Sequence, residues 1–484
     1  MLFNSFKFIF FFIVMVIGYY MLKNKFRWIW LLVGSYYFYY SWEPKLVILL
    51  LASTLFDYYT GLKIHNSEKE GTRKAFLAAS IIFNLSLLIF FKYLGFLTEN
   101  TREIIRFFGI ELANNENLQS TSQFSRIMIP VGISFYTFQT MSYCIDIYRR
   151  NMPAEKHLGQ YALYVSFFPQ LVAGPIERAK KLIPQLKKNV ILDVDGIRIG
   201  LMLMAWGFFM KMVVADRLGV YVDTVFNTPD KYPGIPLILG AYFFTFQIYF
   251  DFAGYSIIAI GAARVLGVDL MTNFNRPVYS KDASEFWSRW HISLMSWFRD
   301  YLYSPLVRRY NFQRYTALLM VFVLSGFWHG ASWNFIIWGG LNGLFLLFEI
   351  TTRKYRENAI NKVSGFIPRP VFRFSWWFLS FNFLVFSLIF FRAQTIPGVI
   401  NYMKNLPLIQ SMQFNVLKEH YEFALSVILL LTVQTVNYFK PDHKVYELVI
   451  NRQYYIRWSI YLAFIFIIVF FSVVRRNPFI YFQF

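Results

Sequence analysis

The feature that most constrains this chain is a series of long apolar runs without Asp, Glu, Lys or Arg. They cover residues 8–22, 28–42, 75–91, 127–145, 199–210, 232–250, 374–391, 423–439 and 458–474, with further runs near 46–56, 161–176 and 316–348. A helix crosses the hydrocarbon core with about 20 apolar residues, so the runs predict roughly eleven to thirteen membrane helices. A β-barrel would instead show short alternating segments. The sequence therefore predicts an all-α polytopic membrane protein with a single integral-membrane domain over residues 1–484.

The composition excludes the main alternatives to a membrane protein. Hydrophobic residues make up 57% of the chain and charged residues 15%, whereas a soluble protein has about a quarter charged residues. Cys144 is the one cysteine, so no intrachain disulfide can form. The first apolar run lies between Lys7 and Lys23 and lacks a small-residue cleavage site, which favours a retained span over a signal peptide.

The net charge of +21 is concentrated between the apolar runs. Basic residues cluster at 23–27, 63–74, 149–188, 264–314 and 353–373. When these loops are placed in the cytoplasm, one consistent alternation results, with the N-terminus and the loop at 98–123 outside. Arg475 and Arg476 do not fit this alternation. The charge therefore reads as an orientation signal in a multi-pass protein of the inner (cytoplasmic) cell membrane, and nucleic-acid binding is not expected.

The longest apolar run, residues 316–348, holds one ionisable side chain, that of His329. A continuous helix of this length would measure about 50 Å, more than the hydrocarbon core of about 30 Å. We expect a break at 325–332, where two glycines flank the histidine and allow close backbone approach. An ionisable group within a span points to function, here proton transfer. The alternative is a buried histidine that joins two helices.

A second histidine, His291, lies in the segment 282–301, which predicts an amphipathic helix at the cytoplasmic interface. Asp282 and Glu285 have the spacing of a capping box. At helical spacing one face consists of Trp287, Trp290, His291, Leu294, Phe298 and Tyr301, whereas Arg289, Ser293 and Arg299 point elsewhere. The alternative for His291 is an interfacial histidine that only binds a carbonyl group.

Two carboxylates interrupt apolar sequence. Asp57 suits a structural role in packing between helices, whereas Asp251 remains open between packing and the orientation of a histidine. Cys144 reads as a small core residue. The remaining histidines, in polar surroundings, are His65, His157, His420 and His443. No zinc spacing, Gly-rich phosphate loop or Gly-x-Ser-x-Gly elbow occurs, so no metal is predicted.

Two stretches carry a resemblance to a known family. SEFWSRWHISLMSWFRDYLYSPL at 284–306 and LSGFWHGASWNFIIWGGLNGLFLLFE at 324–349 resemble the signature of the membrane-bound O-acyltransferases, in the branch of the bacterial alginate O-acetylation proteins. Supporting pieces lie at 53–64, 130–149, 167–178, 249–256, 273–277 and 479–484. The resemblance extends over essentially the whole chain.

The resemblance implies acyl transfer to a hydroxyl group. It identifies His329 with the family's membrane-embedded catalytic histidine and His291 with its second essential position. It also implies a ring of tilted spans around a thin centre, with a tunnel between a cytoplasmic and an outer funnel. Candidates to support the site or line the tunnel are Asp251, Trp290, Arg299, Asp300, Trp328 and Asn334.

The resulting hypothesis is transfer of an acyl group, most simply acetyl, from a cytoplasmic thioester. The basic face suits coenzyme A or an acidic acyl-carrier protein as donor. His329 would be the general base, and His291 would position the donor or stabilise the oxyanion. The resemblance further implies an extracytoplasmic acetyltransferase partner and an exported polysaccharide as final acceptor.

Two alternatives remain at this point. One is D-alanyl transfer toward teichoic acid. The other is a transporter or flippase for a lipid-linked sugar, which would predict repeated halves with matching broken helices; no such repeat is visible in the sequence.

Overall fold

A computed structural model describes residues 1–108, 130, 132–172, 174–363, 368–393, 395–408 and 421–473. Every regular element in these ranges is a helix, which confirms the predicted all-α class. The chain divides into two compact units, Met1–Leu192 with Gly330–Ser332, and Asp193–His329 with Trp333–Phe484. The single domain over residues 1–484 stays a prediction. His420, Arg475, Arg476 and the motif at 479–484 lie outside the described residues.

The helices of the first unit follow one another with short connections. They are α1 Phe6–Met21, α2 Asn24–Tyr40, α3 Val47–Asn66, α4 Glu70–Leu88, α5 Leu94–Phe107, α6 Ile133–Tyr148, α7 Leu158–Ser166, α8 Phe168–Leu171 and α9 Ala179–Lys187. A π-helical turn, Ile89–Tyr93, joins α4 to α5.

The second unit contains the longest helices of the described chain. They are α10 Val194–Phe208, α11 Asp216–Asn227, α12 Ile235–Val265, α13 Ala283–Arg289, α14 Ile292–Phe298, α15 Ser304–Arg309, α16 Arg314–His329, α17 Trp333–Val363, α18 Arg369–Arg392, α19 Ile396–Asn405, α20 Tyr421–Phe439 and α21 Tyr454–Phe471. π-Helical turns at Phe209–Ala215 and Arg299–Tyr303 join α10 to α11 and α14 to α15.

Seven helices in the described part of the chain are long and apolar enough to cross a membrane. They are Pro44–Asn66, Glu70–Phe107, Val194–Asn227, Ile235–Val265, Trp333–Lys362, Arg369–Arg392 and Tyr454–Phe471. The number is below the eleven to thirteen expected because some apolar runs form shorter helices, such as α6 and α16 with 16 residues each. At 1.5 Å per residue such a helix spans about 24 Å. The protein is a multi-pass membrane protein, and the orientation of its loops stays a prediction.

In the first unit, the carboxylate of Asp57 lies at the junction of α3, α4 and α6. It accepts hydrogen bonds from Ser80 Oγ at 2.5 Å and from Asn84 Nδ2 at 2.7 Å. The buried thiol of Cys144 donates to the backbone oxygen of Asp57 at 3.6 Å. Polar side chains from three helices thus satisfy one buried carboxylate. This arrangement supports the structural role predicted for Asp57 and the small core role predicted for Cys144.

In the second unit, the long apolar run at 316–348 is broken, as the sequence predicts. Helix α16 ends at His329 and α17 begins at Trp333. The two helices pack closely because glycines lie at their contact. A Cβ atom on Gly326 would lie 2.1 Å from the backbone oxygen of Phe335, so no other residue fits there without a shift. The break therefore lies at the C-terminal end of the predicted interval, and Gly326 belongs to the helix contact.

Candidate active site

The prediction of one continuous amphipathic helix over residues 282–301 is wrong. Helix α13 ends at Arg289, and α14 begins at Ile292. Between them His291 has φ 43° and ψ 52°, in the left-handed region, which an α-helix cannot include. The neighbouring strand of chain takes up the freed backbone groups, since Ile292 N donates to Asn273 O at 2.9 Å. His291 therefore sits at a sharp break between two short helices.

The start of this segment follows the predicted cap in part. The Asp282 carboxylate accepts a hydrogen bond from Glu285 N at 2.8 Å, as an N-cap residue does. The Glu285 carboxylate accepts from Lys281 N at 2.7 Å and not from Asp282 N, so the reciprocal bond of a capping box is shifted by one residue. The predicted cap position of Asp282 is confirmed.

The aromatic face predicted for this segment is buried. It includes Trp287, Trp290, His291, Leu294 and Phe298, while Tyr301 is half-buried. Ser293, which we expected to point elsewhere, is buried as well and bonds to Asn273. The turn at His291 changes the helical register after it, and this change brings Ser293 inward.

The imidazole of His291 is held by one amide side chain, that of Asn273. Asn273 Oδ1 lies 3.1 Å from His291 Nδ1 and also accepts hydrogen bonds from Ser293 N at 3.3 Å and Ser293 Oγ at 2.9 Å. Asn273 Nδ2 donates to Ser256 Oγ on α12 at 3.0 Å. All of these groups are buried. Asn273 opens the motif at 273–277, but the sequence gave no reason to single it out from that motif.

Aromatic rings and neutral groups surround His291. The ring of Phe252 from α12 meets the imidazole edge-to-face at a centroid distance of 4.6 Å, and Phe274 lies at 6.3 Å. Burial lowers the pKa of His291 to about 3. The imidazole is therefore neutral at physiological pH.

The second predicted histidine, His329, ends α16 inside an aromatic enclosure. Trp338 of α17 and Phe391 of α18 contact its imidazole at centroid distances of 5.2 and 5.4 Å, both edge-to-face. These two rings also contact each other at 5.0 Å. His329 is buried, so three helices of the second unit exclude bulk water from its ring.

The indole of Trp328 contacts both histidines. Its ring centroid lies 4.9 Å from that of His329 and 6.2 Å from that of His291. These distances fall within the range of direct aromatic contact. The two imidazole centroids can therefore be no more than about 11 Å apart. The structure thus brings together the two histidines that the sequence singled out.

Two further candidates support this arrangement. Asn334, at the start of α17, is buried and donates a hydrogen bond to Ala393 O at 2.5 Å, at the end of α18. Because α18 also carries Phe391, this bond fixes that ring near His329. Trp290 stacks on Phe286 at a centroid distance of 5.4 Å. Both residues pack against the neighbours of a histidine, and the tunnel-lining role stays a prediction.

Asp251 belongs to a buried ionic cluster. Its carboxylate forms an ion pair with the ammonium group of Lys211, which also lies 2.7 Å from Asp216 Oδ1. All three side chains are at most 5% exposed. Lys211 lies in the π-helical turn Phe209–Ala215, and Asp251 is near the middle of α12. The question left open for Asp251 is therefore answered in part, because its carboxylate balances a buried lysine.

Arg299 and Asp300 lie in the π-helical turn after α14. They pair with each other at 2.9 Å, with side chains that are 66% and 41% exposed. An exposed pair of this kind contributes little to stability. Their role in supporting a site stays a prediction.

Two adjoining cavities lie beside the histidine-bearing segments. One has a volume of about 350 Å³, and its lining includes Trp287, Trp290 and Trp338. The other, of about 360 Å³, shares Trp287 with the first and extends to Asp282. Trp338 also packs on His329. Apolar space of the size that ligands occupy therefore reaches a side chain in direct contact with the histidine.

The described residues contain no group of three or more His, Cys, Asp or Glu side chains that could hold a metal ion. Metal-free chemistry stays a prediction. The arrangement provides two buried imidazoles, a tryptophan between them and adjoining apolar space. Such a set can transfer a proton to or from a hydroxyl group in a site with little water.

Comparison with known proteins adds to this geometry. The model of MBOAT, the membrane-bound O-acyltransferase family, matches residues 153–391, which include both histidines. A probable alginate O-acetylase of Pseudomonas aeruginosa is 37% identical over 401 residues, which are 82% of this chain and 73% of that protein. A peptidoglycan O-acetyltransferase of Helicobacter pylori is 32% identical over 96% of this chain and 90% of its own length. A teichoic acid D-alanyltransferase of Streptococcus thermophilus is 28% identical over 54% of this chain and 68% of its own length.

Proposed function

The chain belongs to the membrane-bound O-acyltransferase family, and from this premise we propose that it acetylates hydroxyl groups of an exported cell-surface polysaccharide. The chain is an O-acyltransferase by family. The relatives named for O-acetylation of alginate and of peptidoglycan match most of the chain at 32% identity or more. They support acetyl as the group transferred and a polymer of sugars as the acceptor.

The pairing of His291 and His329 across Trp328 is the observation that carries the proposal. In the proposed reaction, His329 takes the proton of the acceptor hydroxyl while the hydroxyl oxygen attacks the thioester carbonyl carbon. The C–S bond then breaks, and the thiolate leaves with the proton that the imidazolium returns. His291 positions the donor or stabilises the oxyanion. The aromatic enclosure of His329 keeps water from competing with the acceptor hydroxyl.

The proposed donor is a cytoplasmic thioester, either acetyl-CoA or an acetylated carrier protein. Arg308 and Arg309, which are exposed at the end of α15, lie in the basic cluster that follows the His291 segment. Positive charge there suits the phosphates of coenzyme A or an acidic carrier. The cavity lined by Trp287 and Trp338 suits the apolar part of the donor.

The chain would act in the inner (cytoplasmic) membrane of the cell, with lipid around its apolar helices. An extracytoplasmic acetyltransferase partner would receive the acetyl group and pass it to the polysaccharide. D-alanyl transfer toward teichoic acid is the second candidate, since the D-alanyltransferase relative matches about half of this chain. Its lower identity and shorter match rank it below acetyl transfer. Family membership favours an enzyme over a transporter.

The test uses full-length protein in lipid nanodiscs with radiolabelled acetyl-CoA or acetylated carrier protein and a polysaccharide acceptor. We expect His329→Ala to lower the transfer rate about 10²- to 10⁴-fold, the usual effect of losing a general base. His65→Ala, an exposed histidine at the end of α3, is the matched control and should leave the rate unchanged. Normal transfer by correctly inserted His329→Ala protein would refute the assignment. Transfer of D-alanine in place of acetyl would select the second candidate.

A further inference from the structure

The side-chain amide of Asn273 has an orientation that its neighbours determine. The backbone N–H of Ser293 can only donate a hydrogen bond, and it faces one end of the amide at 3.3 Å. That end must therefore be the oxygen atom, Oδ1. The other end, Nδ2, donates to Ser256 Oγ at 3.0 Å, which agrees with the same orientation.

The orientation of Asn273 determines which nitrogen of His291 carries hydrogen. Nδ1 of His291 lies 3.1 Å from Asn273 Oδ1. An amide oxygen can only accept, so Nδ1 must be the donor. A neutral imidazole has a single N–H, and its other nitrogen is an acceptor. His291 is therefore the Nδ1–H tautomer, with the lone pair on Nε2.

We propose that Asn273 is a positioning residue that keeps His291 in the Nδ1–H form, so that Nε2 accepts a hydrogen bond from an N–H or O–H of a bound substrate. This inference rests on the proposed acyl transfer. An Nε2 atom without hydrogen cannot donate to a developing oxyanion. Of the two roles considered for His291, positioning of a substrate is therefore the one that the tautomer permits.

The groups that face His291 from the packed elements fit this assignment. They are Phe252 from α12, Phe274 from the preceding segment, Trp328 from α16 and Ser293 from α14. These side chains are aromatic or neutral, and none of them favours an imidazolium by its charge. Burial, which lowers the pKa of His291 to about 3, keeps the ring neutral.

The proton count of the reaction narrows the partner of Nε2. The acceptor hydroxyl that reacts gives its single proton to His329. His291 Nε2 must then meet a second donor, either an amide N–H in the arm of the thioester or a neighbouring hydroxyl of the sugar. Both sources share one chemistry, a hydrogen-bond donor, and substrate kinetics distinguish them.

The first experiment observes the tautomer directly. Full-length protein with ¹⁵N-labelled histidine is compared with His291→Gln in lipid bilayers by solid-state NMR, and the difference spectrum isolates His291. We expect a protonated Nδ1 and an unprotonated Nε2 at neutral pH. A protonated Nε2 with a bare Nδ1 would overturn the inference. Because the wild-type protein is measured, misfolding of a variant cannot mask the result.

The second experiment changes the partner of Nδ1. Asn273→Asp retains an acceptor there but adds a negative charge, which favours the imidazolium and raises the pKa of His291. Protonation would convert Nε2 into a donor, so the acidic limb of kcat/KM should move to higher pH by about one unit or more, as an adjacent opposite charge produces. Asn382→Asp, on α18, carries the same chemical change where Tyr242 donates to the amide oxygen, and it should show no such shift.

The outcomes separate this inference from the proposed function. An unshifted profile for Asn273→Asp, with His329→Ala inactive, would overturn the inference and leave the acyl transfer standing. An active His329→Ala would overturn the acyl transfer itself. In Asn273→Ala, a raised KM for the thioester would assign the partner to the donor arm. A raised KM for the polysaccharide would assign it to a sugar hydroxyl, and no change in either KM would contradict the inference.

Discussion

The carboxylate of Glu349 accepts a hydrogen bond from the backbone amide of Ala283 at 2.8 Å, across 66 residues of sequence. Its second oxygen accepts from Ser284 N at 3.2 Å. Both amides belong to the first turn of α13, where backbone N–H groups have no partner within the helix. Glu349 lies on α17, the helix that follows the break after His329. One carboxylate thus joins the segment of His291 to the helix pair of His329.

Loss of this carboxylate should disturb both stability and catalysis. We expect Glu349→Ala to lower the free energy of unfolding by about 1–3 kcal/mol, because two amides of α13 lose their acceptor. Glu349→Gln keeps one acceptor oxygen and should lose less. Kinetics and thermal unfolding of the detergent-solubilised protein measure the two effects. Glu357→Ala, exposed on the same helix, is the control. Equal behaviour of the Glu349 and Glu357 variants would exclude the proposed link.

The buried cluster of Lys211, Asp216 and Asp251 makes a second prediction. Lys211→Met would leave two buried carboxylates without their cation, and we expect a loss of about 3–5 kcal/mol of stability, typical of a broken buried ion pair. The triple variant that adds Asp216→Asn and Asp251→Asn should be more stable than Lys211→Met alone. Chemical unfolding in mixed micelles compares them. A single variant as stable as wild type would mean that the cluster does not depend on its lysine.

The third prediction concerns pH. Asp442, outside the spans, accepts hydrogen bonds from Tyr249 Oη at 2.6 Å and Trp206 Nε1 at 3.0 Å. Burial raises the pKa of this carboxyl above its ordinary value of 3.8. Between that value and the raised pKa the folded state holds more protons than the unfolded state. Stability contributed by Asp442 should therefore fall as pH rises through this window.

Asp442→Asn removes the titrating group and keeps a hydrogen-bonding side chain of the same shape. We expect its unfolding midpoint to depend less on pH than that of the wild type, over the same window. Glu447→Gln, in the same 3₁₀ segment, removes an exposed carboxylate whose pKa is lowered by its bond to Lys440, and should change the dependence in the opposite sense. Parallel curves for wild type and Asp442→Asn would show that Asp442 does not titrate on unfolding.

Several features of the site could be predicted because they depend on local sequence. The length of the run at 316–348 requires a break, and the glycine after His329 indicates where it lies. The cap at Asp282 follows from residues three positions apart. Burial of Trp287 and Leu294 follows from helical spacing. Each of these inferences compares residues within a few turns of one another, and there the geometry of a helix suffices.

Other features depend on partners that spacing cannot identify. Asn273 is 18 residues from His291, and Glu349 is 66 residues from Ala283. The apolar run at 199–210 ends at Lys211, which marks a charge next to a span but not its partner Asp251. The helix break at His291 was missed because its aromatic pattern continues across it. Only the folded backbone shows that Asn273 O has taken the amide of Ile292.

The left-handed backbone at His291 has a consequence for mutational drift. Glycine adopts this conformation at the least cost, and asparagine is several-fold enriched in it, whereas histidine has only its side chain to justify the position. In a saturation library at codon 291 selected for membrane insertion alone, we expect glycine and asparagine to rise above histidine. Under selection for acetylated polymer the order should reverse. The two rankings together separate what the fold requires at this position from what the reaction requires.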